Sequence, residues 1–231
     1  MAVGSGTVNT TRHALPSRDI APKFAIAGLM LLGLGLALAF VIASNIGAAN
    51  ARDLPSNIWF FDLGRVHPEI HSTADGFSWF ADGVRNIVVV PVVTVVLLAC
   101  RQWRWAVFLV VSSQVGLLIS NALKFSIARQ RPPLIESTDF QLHLSFPSGH
   151  TFSGLTVWVA MAMIAWYLLP RPFGDIATVA LVVIGLANGP SRLILGKHWL
   201  TDVLGAWMVA GGWLMLVWAG FLWFLRPRMT G

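Results

Sequence analysis

The chain has 231 residues, of which 56% are hydrophobic and only 11% are charged, and its net charge is +6. A soluble domain usually carries about 25% charged residues, so this composition indicates a membrane protein. Basic residues are thinly spread between apolar runs, which excludes the basic surface patches of nucleic-acid-binding proteins. The single cysteine, Cys100, excludes a disulfide within the chain and a zinc site built from several cysteines.

The N-terminal part begins with a polar stretch, and we expect residues 1–22 to form a disordered tail. An uncharged run from Phe24 to Ser44 follows, and its roughly 20 residues are enough to cross a bilayer. The alternative for this run is a cleaved signal peptide, since Ala49-Asn50-Ala51 resembles a cleavage site. The run is longer than the roughly 7–15 residues of a secretory apolar core, which favours a span.

Residues 45–85 are mixed in character, and we expect short amphipathic pieces in them that lie along the membrane interface. Further apolar runs follow at residues 86–100, 105–124, 151–169, 176–195 and 203–225. With the first run they predict an all-α fold, a polytopic membrane helix bundle with six transmembrane helices. We expect one domain that covers residues 23–231, with residues 45–85 as a segment outside the membrane.

Lysine and arginine residues in the loops indicate the orientation. In an alternating bundle the N-terminal tail, the loops at 101–104 and 170–175 and the C-terminus share one side, where eight basic and two acidic residues leave a net charge of +6. The other side has eight basic and eight acidic residues, and most of its basic residues lie in or beside the motifs described next. We therefore expect both termini in the cytoplasm and residues 45–85 on the extracytoplasmic side.

Isolated polar residues fall at four span ends that an alternating bundle brings to one side. These residues are Lys124, Arg131, His150, Arg192, His198 and Asp202. Lys124 and Arg131 are seven residues apart, about two helical turns, so they point the same way if the helix continues to Pro132. His198 and Asp202 are four apart and share a helix face, where the carboxylate can fix the imidazole tautomer and leave the other ring nitrogen free.

The stretch Phe146-Pro-Ser-Gly-His-Thr151 predicts a helix start that binds an anion. Pro147 suits the first helical position or the one before it, Ser148 can cap the helix, and Gly149 lets a ligand approach the backbone. Free N–H groups and the positive end of the helix dipole favour an anion there. Because three cations lie at the same depth, we interpret this region as a phosphate site with two histidines beside it.

Taken singly, each of these residues has a simpler explanation. A histidine at a span end is usually an interfacial polar residue, Lys124 can snorkel to the headgroups, and Arg192 can anchor its helix. His198 and Asp202 can form an ordinary helical pair. Together, at one depth and without a competing charged cluster in the spans, they favour a functional site.

The same residues resemble the three-part signature of the type 2 phosphatidic acid phosphatase (PAP2) superfamily, which includes bacterial membrane lipid phosphatases. The three parts are Lys124-x6-Arg131-Pro132, Pro147-Ser148-Gly149-His150 and Ser191-Arg192-x5-His198-x3-Asp202. All three occur in order and with full spacing, and the six-span layout extends the resemblance over most of the chain.

The resemblance implies a lipid phosphatase in which His198 attacks phosphorus and becomes a phosphohistidine, Asp202 orients His198, and His150 protonates the leaving oxygen and then helps to activate water. It also implies that the remaining residues bind the phosphate oxygens: Lys124, Arg131, Ser148, Gly149 and Arg192. It implies no cofactor and no metal ion, since three cations of the protein neutralise the phosphate. The expected partners are a lipid phosphate or lipid diphosphate and the bilayer, and no nucleic acid.

The sequence leaves the lipid open among phosphatidylglycerol phosphate, phosphatidic acid and polyprenyl diphosphates. Two other functions are compatible with the same anion site. One is a phosphotransferase that passes the phosphate to another lipid or sugar, and the other is a binding or transport protein for lipid phosphates without chemistry. The complete set of His150, His198 and Asp202 argues against the second.

Overall fold

The computed structural model describes residues 12–80, 82–135 and 144–225, and within them the chain is helical. A short 3-10 turn at Arg18–Ile20 precedes the helices. The helices in this part of the chain are α1 (Ala21–Ser44), α2 (Ile46–Val66), α3 (Pro68–Phe80), α4 (Gly83–Ala99), α5 (Trp103–Ile127), α6 (Gly149–Leu168), α7 (Phe173–Ile194) and α8 (Leu200–Leu225). Short π-helical turns lie within α5 and α6 and at the end of α8.

Five of the described helices are long and apolar enough to cross a membrane, namely α1 with the turn before it and α5 to α8. They confirm the all-α fold and indicate a membrane protein. The expected second span corresponds to α4, which has 17 residues with Pro91 inside. That length is at the lower end of the roughly 17–25 residues that a spanning helix needs. The count of six spans is therefore not confirmed.

The segment at 45–85 differs from the short interfacial pieces that we expected. It is occupied largely by α2 and α3, and both helices pack against α7. Asn57 on α2 is fully buried and Ser78 on α3 is nearly so, whereas Trp59 and Trp79 remain exposed. The two helices therefore turn polar residues toward the bundle, because these residues find hydrogen-bond partners there.

We expected residues 1–22 to be disordered. Residues 1–11 lie outside the described residues, and the described part of this segment is ordered by contacts with the helices. The ring of His13 stacks on Trp166 with 3.5 Å between the ring centroids. Its Nε2 lies 2.6 Å from Asp175 Oδ1 at the start of α7. Residues 12–22 are therefore packed against the bundle.

Glycines allow α1 and α8 to pack closely along their length. A Cβ atom added at Gly28 would lie 2.9 Å from the carbonyl oxygen of Gly212, and one at Gly35 would lie 2.7 Å from Val209 Cγ2. Small residues let membrane helices approach and gain van der Waals contact where burial of apolar surface from water is not available. The apolar run in α1, which was alternatively interpreted as a cleaved signal peptide, is thus packed as part of this bundle.

Aromatic residues fill the core at one end of the bundle. Trp105 and Phe108 near the start of α5 pack on Trp218 and Phe221 near the end of α8, with 4.4 Å between the ring centroids of Trp105 and Phe221. The predicted site residues lie at the opposite ends of these two helices. The fold therefore separates an apolar core from a polar end.

Candidate active site

Five of the eight predicted site residues meet at one end of a cavity of about 660 Å³ between α4, α5 and α6. They are Lys124, Arg131, Gly149, His150 and His198. The other three, Ser148, Arg192 and Asp202, are buried beside this polar end. The remaining wall, from α4, α5 and α6, continues away from the polar end toward Val110.

Arg131 reaches the cavity by a route that the sequence did not suggest. The sequence aligned Lys124 and Arg131 only on the condition that the helix continues to Pro132. The helix ends instead at Ile127, and Ala128 has a left-handed conformation with φ of 52°. This conformation is unfavourable for a residue with a Cβ atom, by about 1–2 kcal/mol. It turns the chain away from the helix axis, so that Arg129 is buried in the protein and Arg131 lines the cavity.

The loop before α6 is fixed to the start of α8. Phe146 is fully buried, and its ring lies so close to Gly205 that an added Cβ atom would be 2.4 Å from the ring. The N–H of Ser148 donates to the carbonyl oxygen of Asp202 at 3.1 Å. These contacts set the position of His150, in the first turn of α6, relative to α8.

Ser148 caps α6, as its place in the sequence suggests. Its hydroxyl oxygen accepts a bond from the Thr151 N–H at 3.5 Å and one from the Thr151 hydroxyl at 2.9 Å. Ser148 is fully buried behind the cavity wall, so it holds the helix start. The neighbouring Gly149 lines the cavity and begins the helix there, where backbone N–H groups are free to bind an anion.

Lys124 connects the end of α5 to the same loop. Its Nζ donates to the carbonyl oxygens of Pro147 at 2.6 Å and Leu144 at 3.1 Å. An ammonium group has three N–H donors, so one remains for a ligand in the cavity.

His198 is buried in the loop before α8, and its ring forms part of the cavity wall. Its Nδ1 lies 3.4 Å from Asp202 Oδ2 and 3.4 Å from Ser145 Oγ, which leaves Nε2 as the nitrogen available to a ligand. Burial, followed by the nearby charges of Arg192, Lys124 and Arg131, lowers the pKa of His198 well below its usual value. His198 is therefore a neutral imidazole at pH 7, the form with a lone pair for attack.

Asp202 is fully buried and is held by several donors. Its Oδ2 accepts bonds from the Trp199 N–H at 2.9 Å and from the Ser145 hydroxyl, and its Oδ1 accepts a bond from Arg129 Nη1 at 2.8 Å. These donors fix the carboxylate beside Nδ1 of His198.

His150 is half-buried and lines the cavity across from the loop that carries His198. Its ring makes no hydrogen bond with any residue that the structure describes. Both ring nitrogens are therefore available for proton transfer with a bound ligand.

Arg192, in the last turn of α7, is 3% exposed and donates from Nη1 to Ser78 Oγ on α3 at 2.5 Å. Its Nε and the Nε of Arg131 are buried and have no hydrogen-bond partner among the described residues. Buried donors without partners are rare in folded proteins, and in a cationic site they suit a bound anion.

Arg129 and its partners were missed by the sequence analysis. Arg129 is fully buried, and besides Asp202 it donates from Nη2 to Asp53 Oδ2 at 2.8 Å and from Nε to Asn50 Oδ1 at 2.9 Å. A third side chain of α2 supports the backbone at His198: Asn57 Nδ2 donates to the His198 carbonyl oxygen at 2.6 Å. A usable signal was present, since residues 50, 53 and 57 lie on one face of a helix.

Comparisons with known proteins identify the family of this chain. The family model of the PAP2 superfamily matches residues 105–226. Phosphatidylglycerophosphatase B of Bacillus subtilis is 36% identical over 96 residues, which cover 38% of this chain and 44% of that protein. The undecaprenyl-diphosphatase of Sulfolobus acidocaldarius is 24% identical over 135 residues, 56% of this chain and 61% of that protein. The matches thus span about half the length of these curated relatives.

The fold is shared with a solved structure, that of a transmembrane PAP2 type phosphatidylglycerolphosphate phosphatase from Bacillus subtilis. The TM-score is 0.67 at 22% sequence identity, over 87% of this chain and 98% of the other. This likeness extends to the part of the chain before residue 105, which the family model does not match. Since the family model covers more than half of the residues, the chain belongs to the PAP2 superfamily.

Proposed function

We propose that the protein is a membrane lipid phosphatase, which hydrolyses a phosphate monoester or diphosphate headgroup through a phosphohistidine at His198. One observation carries the proposal. His198, held by Asp202, shares one end of a cavity with an unpaired His150 and with Arg131, whose buried Nε has no partner among the described residues. The names of the two relatives, a phosphatidylglycerophosphatase and an undecaprenyl-diphosphatase, support a lipid substrate.

The phosphate oxygens are bound by the cations and by the helix start. Arg131 and Arg192 offer their unpaired Nε–H groups, and Lys124 offers its third N–H. Gly149, which lines the cavity at the helix start, adds its backbone N–H. Ser148, expected to touch the phosphate, instead holds Gly149 in place by capping the helix. No metal ion is required, because the cations supplied by the protein offset the charge of the transferred group.

In the first step Nε2 of His198 attacks phosphorus, and the bond between phosphorus and the lipid oxygen breaks. His150 gives its proton to the leaving oxygen, so that the lipid departs as an alcohol from a monoester. Asp202 accepts from Nδ1 and stabilises the positive charge that develops on the ring. In the second step His150 takes a proton from water, the water oxygen attacks phosphorus, and the bond to Nε2 breaks to release phosphate.

The proposed place of this reaction is the extracytoplasmic face of the cell membrane, with both termini in the cytoplasm and six spans that include α4. Support comes from the net charge of +6 on the side of the termini against zero on the other side. The apolar wall of the cavity on α4 and α5 also suits a lipid tail.

The test is release of inorganic phosphate from a panel of lipid phosphates by the purified full chain in detergent. We expect turnover by the wild-type protein and none by His198→Ala, whose folding is checked by gel filtration. Phosphate transferred to an added alcohol, with little released to water, would indicate a phosphotransferase instead. Binding of lipid phosphates without any turnover would favour the binding or transport function.

A further inference from the structure

Two polar side chains of the cavity wall next to the phosphate end have no partner. Ser120 and Asn121 on α5 both line the cavity, and neither makes a hydrogen bond with any residue that the structure describes. Ser120 is 3% exposed, whereas Asn121 lies at the open side of the cavity and is exposed. They precede Lys124 by four and three residues, so they lie about 6 and 4.5 Å from it along the helix axis, on the side toward the middle of the bilayer.

Other polar side chains of this wall, unlike Ser120 and Asn121, make hydrogen bonds within the protein. The hydroxyl groups of the wall donate to carbonyl oxygens of their own helices, and the one glutamine amide donates to a neighbouring hydroxyl. These side chains are Thr94, Ser113, Ser153, Thr156 and Gln114. Asn86 interacts with another residue, and its buried Oδ1, which has no hydrogen-bond partner among the described residues, is an acceptor and not a donor. The unpaired donors are thus concentrated within one helical turn of the phosphate end.

The unpaired donors of Ser120 and Asn121 favour one class of candidate lipid over another, because the lipids differ in the groups that they place at this depth. A donor that faces only hydrocarbon loses its bonds to water without replacement, which is unfavourable. A polyprenyl chain is pure hydrocarbon beyond its phosphates. A lipid whose chains are joined by acyl groups places carbonyl oxygens a few bonds from phosphorus, at the depth of Ser120 and Asn121. A carbonyl oxygen is an acceptor, and it complements a hydroxyl or an amide N–H.

We propose that Ser120 and Asn121 form a subsite for the acyl carbonyl groups of the substrate, and hence that the substrate is an acyl-linked glycerolipid phosphate. The inference rests on the proposed function, because it places the phosphate at Lys124. In a polyprenyl diphosphate, the second phosphate would lie beside Ser120 and Asn121, where the acyl carbonyl groups would otherwise be. That phosphate is negatively charged and would be better bound by a cation, whereas these two side chains are neutral.

The experiment compares two lipids that differ only in the carbonyl groups: phosphatidic acid with ester-linked chains, and its analogue with ether-linked chains. The purified full chain is tested as wild type, Ser120→Ala and Asn121→Leu, with a polyprenyl diphosphate as a third lipid. Ser126→Ala is the matched control, since Ser126 lies on the same helix but is exposed and bonded to its own backbone. Gel filtration checks that each variant is folded.

We expect wild type and Ser126→Ala to prefer the ester over the ether lipid by about tenfold in kcat/KM, the effect of one or two neutral hydrogen bonds. In Asn121→Leu, and to a smaller degree in Ser120→Ala, this ratio should fall toward one. The inference would be overturned if the wild type showed an ester-to-ether ratio near one, or if both variants kept the wild-type ratio. It would also be overturned if the variants lost activity only on the polyprenyl diphosphate.

The same comparison can be made without turnover. Binding of the ester and ether lipids to His198→Ala and to His198→Ala with Asn121→Leu should show the same preference and the same loss of it. If the wild type hydrolyses no lipid but binding follows this pattern, the proposed function fails and the subsite stands. If lipids are hydrolysed but neither measurement distinguishes ester from ether, the function stands and the subsite fails.

Discussion

Arg129 holds Asp202 through a bond of 2.8 Å between Nη1 and Oδ1, and both side chains are completely buried. The same guanidinium binds Asp53 on α2, which lies outside the region matched by the family model. The carboxylate beside His198 is therefore positioned by a residue at an unspecified position of the first motif, and indirectly by a helix from the segment before the motifs.

Asp53→Asn should lower kcat for nitrophenyl phosphate about tenfold with little change in KM, because Arg129 then loses a partner and Asp202 loses its fixed orientation. Arg129→Met should be more severe and should also destabilise the protein by about 3–5 kcal/mol, since it leaves two carboxylates buried without their cation. Arg129→Lys should recover part of both effects.

The control for these variants is Arg65→Met, which changes an exposed arginine at the end of α2. Steady-state kinetics and thermal unfolding in detergent give the two readouts. Normal kcat in both Asp53→Asn and Arg129→Lys would show that this network has no part in catalysis.

The two histidines should respond differently to the leaving group. A lipid alkoxide is a poor leaving group and needs the proton of His150, whereas nitrophenolate needs it far less. His150→Ala should therefore lose about 10²–10⁴-fold activity on a lipid phosphate and a smaller fraction on nitrophenyl phosphate. His198→Ala should abolish both. Equal losses in His150→Ala on the two substrates would limit His150 to phosphate binding.

Phosphate release should continue in EDTA, because Lys124, Arg131 and Arg192 supply the positive charge that a metal ion would otherwise provide. Vanadate should inhibit phosphate release, because vanadate adopts the five-coordinate geometry of the transition state. Membership of the family implies this inhibition. Rates are compared with and without chelator and after addition of magnesium. Loss of all activity in EDTA and its return with magnesium would contradict the prediction.

The native Cys100 gives a direct test of orientation. It is exposed at the end of α4, on the side that we assign to the cytoplasm. An impermeant thiol reagent should label it only after the cells are permeabilised. In a Cys100→Ser background, Ser72→Cys on the exposed face of α3 should be labelled in intact cells. The reverse pattern would place the site on the cytoplasmic side.

The close packing of α1 on α8 predicts unequal effects of two glycines on the same helix. Gly28→Leu should lower the midpoint of thermal unfolding in detergent by several degrees, because its side chain would collide with the backbone at Gly212. Gly33→Leu is the control, since nothing lies within 4 Å of a Cβ atom there. Equal midpoints for the two variants would mean that α1 does not pack on α8 in this way.

The sequence predicted the residues of the site better than the parts that support them. His150 and His198 are conspicuous because they are polar residues beside apolar runs. Arg129 is less so, since its contact with Asp53 joins segments far apart in the chain. Only the shared helix face of residues 50, 53 and 57 gave a local signal, and it does not name Arg129 as the partner. The sequence left open whether the helix continues beyond Lys124, because a left-handed helix end usually carries glycine, and Ala128 gives no such signal.

The packing of α1 against α8 also has a consequence for biosynthesis. Of the described helices, α1 is made first and α8 last, so the glycine face of α1 must remain against lipid until every helix between them has been inserted. His198 directly precedes α8 and Asp202 lies in its first turn. The bundle and the reactive centre are therefore completed in the same event, and we expect a nascent chain to stay inert toward the lipids around it until α8 has been made and inserted.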